Sequence, residues 1–407
     1  MRRFAPFLAL LFFFQSGCGE PAPAFNEADP LDAKVSGERA LAHVTALVGF
    51  GARPTGSEAL EEARKYLEKE LATMGWTTKR QTFTEKTSQG EMEFTNLLAR
   101  FGKDGGADWE KPVAGLICSH YDTKQYDNFA FVGANDGGSS TGLLVELARV
   151  LAERPETASR IELVFFDGEE AFGTNITSKD GLYGSRHYSA QWLLKPEPDR
   201  PRWGVLLDMV GDAGLNIRAA VQIPRQSLRD LAEAKEKGGY VIDIAKVEES
   251  LQFFSRDLLD AAAELDLRNR VGVSSDYIVD DHIPLNVVAG IPTINLIDFD
   301  YPPWHTPADT LDKLSAESLA ITGRVTLRFV EKFRLDGKPQ WADGKERGRP
   351  RPRRSTTDAG RGRRRPRSLR RQNGKRITST ARCRRPDTCS CTVPPAPSVP
   401  AHAACRC

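Results

Sequence analysis

Four short apolar runs, each too short to be a helix of its own, constrain this 407-residue chain most. They are Ala114 to Ser119, Ile161 to Phe166, Trp203 to Leu207 and Ile291 to Ile297. None alternates strictly between apolar and polar residues, so each reads as a strand covered on both faces, as in a parallel sheet. Between them lie stretches with helical spacing. Ser57 to Met74 carries Leu60, Ala63, Leu67 and Leu71 on one face, opens on a serine cap and closes at Gly75. Ser139 to Ala152, Tyr183 to Leu194, Gln226 to Lys237, Phe254 to Leu265 and Ala316 to Phe333 also read as helices. Thr77 to Phe83 and Glu93 to Arg100 read as a hairpin. The pattern predicts an α/β domain, with a twisted, mostly parallel but mixed sheet and helices on both faces. Residues 38–335 suffice for one large core, and no fixed-period repeat is present.

Chemistry-bearing residues gather at the ends of the apolar runs, where open α/β sheets place their sites. Phe165-Phe166-Asp167-Gly168-Glu169-Glu170 puts two adjacent carboxylates just past a strand. Neighbouring side chains at such a turn point in different directions, so one binds a metal while the other stays free to move protons. Gly133-Ala134-Asn135-Asp136-Gly137-Gly138 is a small-residue loop with one central acid, placed just before a helix. Trp304-His305-Thr306-Pro307 follows the last apolar run and offers an imidazole. Asp136, Glu170 and His305 together make a histidine-plus-two-carboxylate zinc site with a fourth position open. Taken singly, Asp136 reads equally as a turn or cap acid and His305 as a loop histidine. Their common placement at strand ends favours the metal.

These segments resemble the zinc-dependent glutaminyl-peptide cyclotransferases, the animal-type glutaminyl cyclases, which share a fold with the zinc aminopeptidases of peptidase family M28. The resemblance runs from about Leu41 to Phe333. It rests on His120-Tyr121-Asp122-Thr123-Lys124, Gly133 to Asp136, Phe165 to Phe172, Asp180 to His187, Asp280-Asp281-His282-Ile283-Pro284 and Trp304-His305-Thr306, with an early Arg53-Pro54-Thr55-Gly56-Ser57. It implies an α/β/α sandwich and one zinc ion on Asp136, Glu170 and His305. It further implies Glu169 as proton shuttle, Asp280 as acceptor at the scissile amide, and Trp304 and Tyr301 as substrate-binding aromatics. The implied reaction closes an N-terminal glutamine of a peptide or protein to pyroglutamate and releases ammonia. In one place the chain departs from the pattern: Phe172-Gly173-Thr174-Asn175-Ile176 stands where the cyclases carry a tryptophan beyond the paired glutamates.

The same resemblance carries a rival. In the related aminopeptidases a histidine and an aspartate at the positions of His120 and Asp208 bind a second zinc, bridged by the equivalent of Asp136. Two ions with Glu169 as general base would then hydrolyse amino-terminal peptide bonds. In the one-ion reading His120 and Asp208 instead orient the ligands from behind.

The chain's ends differ from its middle. Residues 1–18 read as a lipoprotein-type signal: Met1-Arg2-Arg3, an apolar Phe4 to Phe14 too short to span a membrane, then Ser16-Gly17-Cys18. Cys18 would be the lipid-bearing residue and 19–37 a linker, with Glu20 to Ala33 as tether. This predicts a periplasmic lipoprotein of the bacterial cell envelope, membrane-bound only through its anchor, with plain secretion as the alternative; the expected state is a monomer. Cys118 sits in an apolar run and reads as a buried small side chain. From Asp336 to Cys407 there are 20 Lys+Arg and 5 Asp+Glu, so the formal net charge of +2 conceals an acidic catalytic region and a basic extension. The extension is rich in arginine and proline and carries five of the seven cysteines. Its composition predicts disorder, and charge alone does not make it a nucleic-acid binder.

Overall fold

The computed structural model describes residues 29–102, 106–225 and 242–335. The signal segment, most of the linker, the helix expected over 226–237 and the basic extension lie outside the described residues. Eight strands form one sheet in the order β1-β2-β4-β3-β5-β8-β6-β7. They are β1 Trp76–Thr87, β2 Gly90–Phe101, β3 Gly115–His120, β4 Ile161–Phe166, β5 Trp203–Asp208, β6 Ile217–Ala220, β7 Val271–Val273 and β8 Thr293–Ile297. The four apolar runs are the central parallel strands β4, β3, β5 and β8. On one side the antiparallel β1–β2 hairpin adds to β4; on the other, β6 pairs antiparallel with β8.

Why these runs are mostly apolar, without a polar face, follows from where alternate side chains go. In β4, Ile161, Leu163 and Phe165 enter one hydrophobic cluster, while Val164 and Phe166 enter a second. In β3 Ile117 joins the first, and Leu116 and Cys118 the second. Both faces are therefore covered. The larger layer holds α1 Gly37–Gly49, α2 Glu58–Thr73, α3 Ser140–Ala152, α5 Ile244–Glu264 and α6 Ala316–Phe329. The opposite layer is built around α4 Tyr183–Ala190, whose Tyr188 packs with Leu285, Ala289 and Ile291. Serine caps start three of these helices: Ser36 Oγ accepts from Arg39 N, Ser57 Oγ from Leu60 N, and Ser315 Oγ from Glu317 N. No helix among the described residues is long and apolar enough to cross a membrane.

The topology fixes where a site can form. From β3 the chain crosses to β4 on one side, then returns past β3 to β5 and later β8 on the other. The strand order thus reverses at β3, and the crevice beyond the carboxyl ends of β3 and β5 is the natural binding position of such a sheet. His120 and Asp208 are the last residues of those two strands.

Three expectations need correction. The packed chain begins before residue 38. Leu31 is buried, its N–H donates to Glu331 Oε2 at 2.9 Å, and Asp32 pairs with Arg328 at 2.9 Å, so the linker ends near Pro30. Helix α5 starts ten residues earlier than expected, capped by Asp243 Oδ1, which accepts from Lys246 N. The short strands β6 and β7 were not anticipated, because three or four residues show no usable periodicity.

His282, in the turn before β8, is buried, and neither ring nitrogen has a hydrogen-bond partner among the described residues. Burial alone lowers its pKa from 6.5 to about 3. The unfolded chain takes up a proton near 6.5, whereas the folded one waits until about 3. Stability from this residue is fully present above pH 6.5 and is lost as pH falls towards 3. His282→Leu should flatten the stability-versus-pH curve across that window by on the order of a few kcal/mol. Denaturant melts at pH 7.5 and 4.5 measure it, and equal slopes in the two proteins would refute the assignment.

Candidate metal centre and active site

Each ligand is presented by a turn with its own local cause. Asp136 lies in the turn Ala134–Ser139 that ends the long connection from β3 to α3, with φ −77° and ψ 103°. Gly137 follows at φ 76°, where a Cβ would meet Asp122 O at 2.8 Å and the His120 ring at 2.9 Å. Only glycine fits there. The backbone N–H groups of Asn135 and Asp136 donate to the two oxygens of Asp309, at 2.8 and 3.1 Å. Beyond β4, Gly168 at φ 69° turns the chain. The N–H groups of Glu169 and Glu170 then both donate to the Asp122 carboxylate, at 3.2 and 3.3 Å. His305 sits in a left-handed conformation, φ 56°, between turns closed by Trp304 N to Tyr301 O and Thr306 N to Pro303 O.

The three expected ligands converge. His305 Nε2 lies 3.4 Å from Asp136 Oδ2 and 3.4 Å from Glu170 Oε2. Tetrahedral zinc with bonds of about 2.0–2.1 Å places its ligand atoms about 3.3–3.4 Å apart, so the spacing fits. Asp136 Oδ2 and Glu170 Oε1 are buried with no hydrogen-bond partner among the described residues, as donors meant for an ion are. A second cluster shares Asp136: His120 Nε2 is 3.3 Å from Asp136 Oδ1 and 3.2 Å from Asp208 Oδ1. The two oxygens of Asp136 therefore face two different histidines.

The surrounding charge is strongly unbalanced. Burial raises the pKa of Glu169 well above the usual range. His120 opposes that shift, while Glu170, Asp280 and Asp281 add to it. Glu170, Asp208 and Asp280 are likewise raised by burial and by carboxylate neighbours. Burial opposes protonation of His305, yet Asp136 and Glu170 overcome it and lift the imidazole to about 9. Such a cluster attracts a cation. Lys124 supplies one positive charge, its Nζ 2.6 Å from Ala171 O and 3.6 Å from Glu170 Oε2.

Glu169, Glu170, Asp136, His305, Asp208 and Asp280 all line one cavity of about 640 Å³. Asp280 is held by Asn295 Nδ2 on one oxygen and by Asp281 N on the other, each at 2.5 Å. Trp304 stacks on His305, with ring centroids 4.0 Å apart and planes 22° apart, and forms part of the wall.

A family model described as Peptidase family M28 matches residues 96–330, more than half of the chain. The chain belongs to peptidase family M28. Among its curated relatives is a glutaminyl-peptide cyclotransferase of Drosophila melanogaster, 28% identical over 300 residues that cover 70% of this chain and 78% of the relative. A glutaminyl cyclase of an Acidobacteriales bacterium superposes with a TM-score of 0.61 at 28% identity, covering 78% of this chain and all of that one. A leucine aminopeptidase precursor of Bacteroides thetaiotaomicron, at 22% identity and a TM-score of 0.58 over 76% of this chain and 98% of its own, shares the fold.

Within this M28 domain one expected position fails. Tyr301 is buried with its hydroxyl on Asp309 Oδ1 at 2.7 Å, so it braces the Asp309 carboxylate instead of facing substrate. The reason is the turn at Pro302-Pro303, which separates Tyr301 from Trp304. Three further residues matter that sequence reading did not assign roles. Asp309 and Asp122 are acceptors that fix the ligand-bearing backbone. Arg53, 1% exposed, donates to the carbonyls of Leu47, Gly51, Val132 and Gly133 and so ties α1 to the Asp136 loop. Burial lowers its pKa to about 10, while Asp122, Asp309 and Asp136 hold its charge. The Arg53 motif carried a signal for this, whereas Asp309 carried none.

Asp309→Ala leaves two N–H groups of the ligand turn without their acceptor. Zinc affinity, measured by competition with a chromogenic chelator, should fall about 10–100-fold. Unchanged affinity would mean the turn is held by other contacts.

Proposed function

We propose that this protein is a zinc-dependent glutaminyl-peptide cyclotransferase, converting the N-terminal glutamine of peptides to pyroglutamate with release of ammonia. One observation carries the reading: a closed Asp136–Glu170–His305 cluster with the buried Glu169 carboxyl beside it, in an M28 chain among whose curated relatives are glutaminyl-peptide cyclotransferases. One zinc ion on those three residues would, when bound, supply Lewis-acid polarisation of the γ-carboxamide.

The remaining work falls to the chain's own groups. The α-amine and the γ-carbon belong to one residue, so holding the side chain folded in the cavity makes the attack intramolecular. Glu169 takes the proton lost by the amine as the new C–N bond forms. It returns that proton to the γ-nitrogen as the old C–N bond breaks, and ammonia leaves. A carboxyl whose burial raises its proton affinity suits both halves of that transfer. Asp280, fixed through both oxygens, accepts a hydrogen bond from the γ-nitrogen and orients it.

A second reading, a two-ion aminopeptidase with Glu169 as general base, is favoured by the shared Asp136 and the His120–Asp208 cluster behind it. Metal content and paired assays separate the two. The cyclase gives one zinc per chain and ammonia from a glutaminyl peptide; the aminopeptidase gives two zincs and cleavage of a leucyl anilide. Glu169→Gln should keep its zinc and lose turnover by about 10²–10⁴-fold, whereas His305→Ala should lose the zinc. Near-normal turnover in Glu169→Gln would end the shuttle assignment.

We also propose that the mature protein is lipid-anchored through Cys18 at the cell envelope. Basic Met1-Arg2-Arg3, the apolar run to Phe14 and Ser16-Gly17-Cys18 support it. Mass spectrometry of the amino-terminal peptide should find a diacylglyceryl group on Cys18, and Cys18→Ser should move the protein to the soluble fraction. An unmodified mature terminus beyond Cys18 would indicate plain secretion.

A further inference from the structure

Among the described residues, the exposed large hydrophobic side chains are Val273, Tyr277, Val279, Phe299 and Trp304. All five line the catalytic cavity. Soluble domains scatter such residues singly; a set gathered at one mouth marks a binding surface. The set is also continuous with the reacting centre. Trp304 stacks on the ligand His305 at 4.0 Å and meets Phe299 at 4.9 Å, so an aromatic strip runs outward from the metal cluster. Tyr277 and Val279, on the loop leading to Asp280, add further exposed apolar surface to the cavity lining.

The rest of the rim differs. Thr174 and Asn175, where the cyclase pattern has a tryptophan, are exposed and polar. Asp276 and Asp300 also line the cavity.

We propose that this strip is a subsite for the residue that follows the N-terminal glutamine, and that it selects substrates with a large apolar or aromatic side chain there. The proposal rests on the cyclotransferase reading above. A glutamine held with its γ-carboxamide at the cluster leads its own chain out through this mouth. Its second side chain then covers apolar area that water otherwise meets. Asp276 and Asp300 oppose an acidic residue at the same position. Two cations also line the cavity: Lys124 is buried against Ala171 O and Glu170, which leaves Arg218 as the group that points the other way.

The test uses the full-length zinc-loaded enzyme and peptide amides that differ only in the second residue: Gln-Ala, Gln-Leu, Gln-Phe and Gln-Glu. Ammonia release gives kcat/KM for each. The expected order is Gln-Phe and Gln-Leu about tenfold above Gln-Ala, the size of discrimination that a few buried methylenes provide. Gln-Glu is expected below Gln-Ala. In Phe299→Ser and Tyr277→Ser, both surface substitutions, the Phe-to-Ala ratio should fall towards one. Equal kcat/KM across an active series overturns the subsite alone, and a preference for Gln-Glu overturns it in favour of Arg218. A ratio that survives both substitutions places the selectivity elsewhere and also overturns it. No ammonia from any peptide removes the reading beneath the proposal.

Discussion

Crowded buried carboxylate is the constraint on which this architecture turns. Asp122, Asp136, Glu169, Glu170, Asp208, Asp280 and Asp281 are all at most 7% exposed. Removing that many acids from water costs free energy that hydrophobic burial nearby does not return, unless charges are neutralised by protons, cations or hydrogen bonds. The structure uses all three. Glu169 and Asp280 hold protons more tightly, Lys124 and Arg53 stand close by, and Asp122 and Asp309 are occupied by backbone N–H groups. What remains is a demand for positive charge at Asp136, Glu170 and His305. An ion held there would owe its affinity to the whole buried cluster and not to one strong ligand.

Topology places that demand and packing keeps it in place. The strand order reverses at β3, which opens a crevice between chain segments that approach from both sides. Two covered sheet faces hold the ends of β3, β4, β5 and β8 at fixed height, so turns of a few residues suffice to aim the side chains. Those turns are then braced from below by carboxylates that touch no substrate. Asp122 serves both glutamates at once, which couples the proposed proton carrier to the neighbouring ligand: neither backbone moves without the other.

Much of this was readable in the residues. The four central strands were legible because full burial leaves long apolar runs, and the candidate ligands that converge beyond them because polar residues stop those runs abruptly. Glu169 and Glu170 stood out for the same reason. Asp309 was not legible, since a carboxylate that binds amides looks the same in sequence as one exposed to water. Tyr301 misled because closeness to Trp304 along the chain suggested a shared wall, and the Pro302-Pro303 turn sets the two apart. Leu31 was read as tether because proline and acids surround it, yet one buried leucine and the Asp32–Arg328 pair are enough to dock the segment. The edge strands β6 and β7 are held by their neighbours and have no pattern of their own.

The indole of Trp304 lies flat against the imidazole of His305. On the proposed reading, whatever leans on the outer face of that tryptophan also bears on the ring that would hold the ion. A change of side chain at the entrance would then be felt at the metal centre as well.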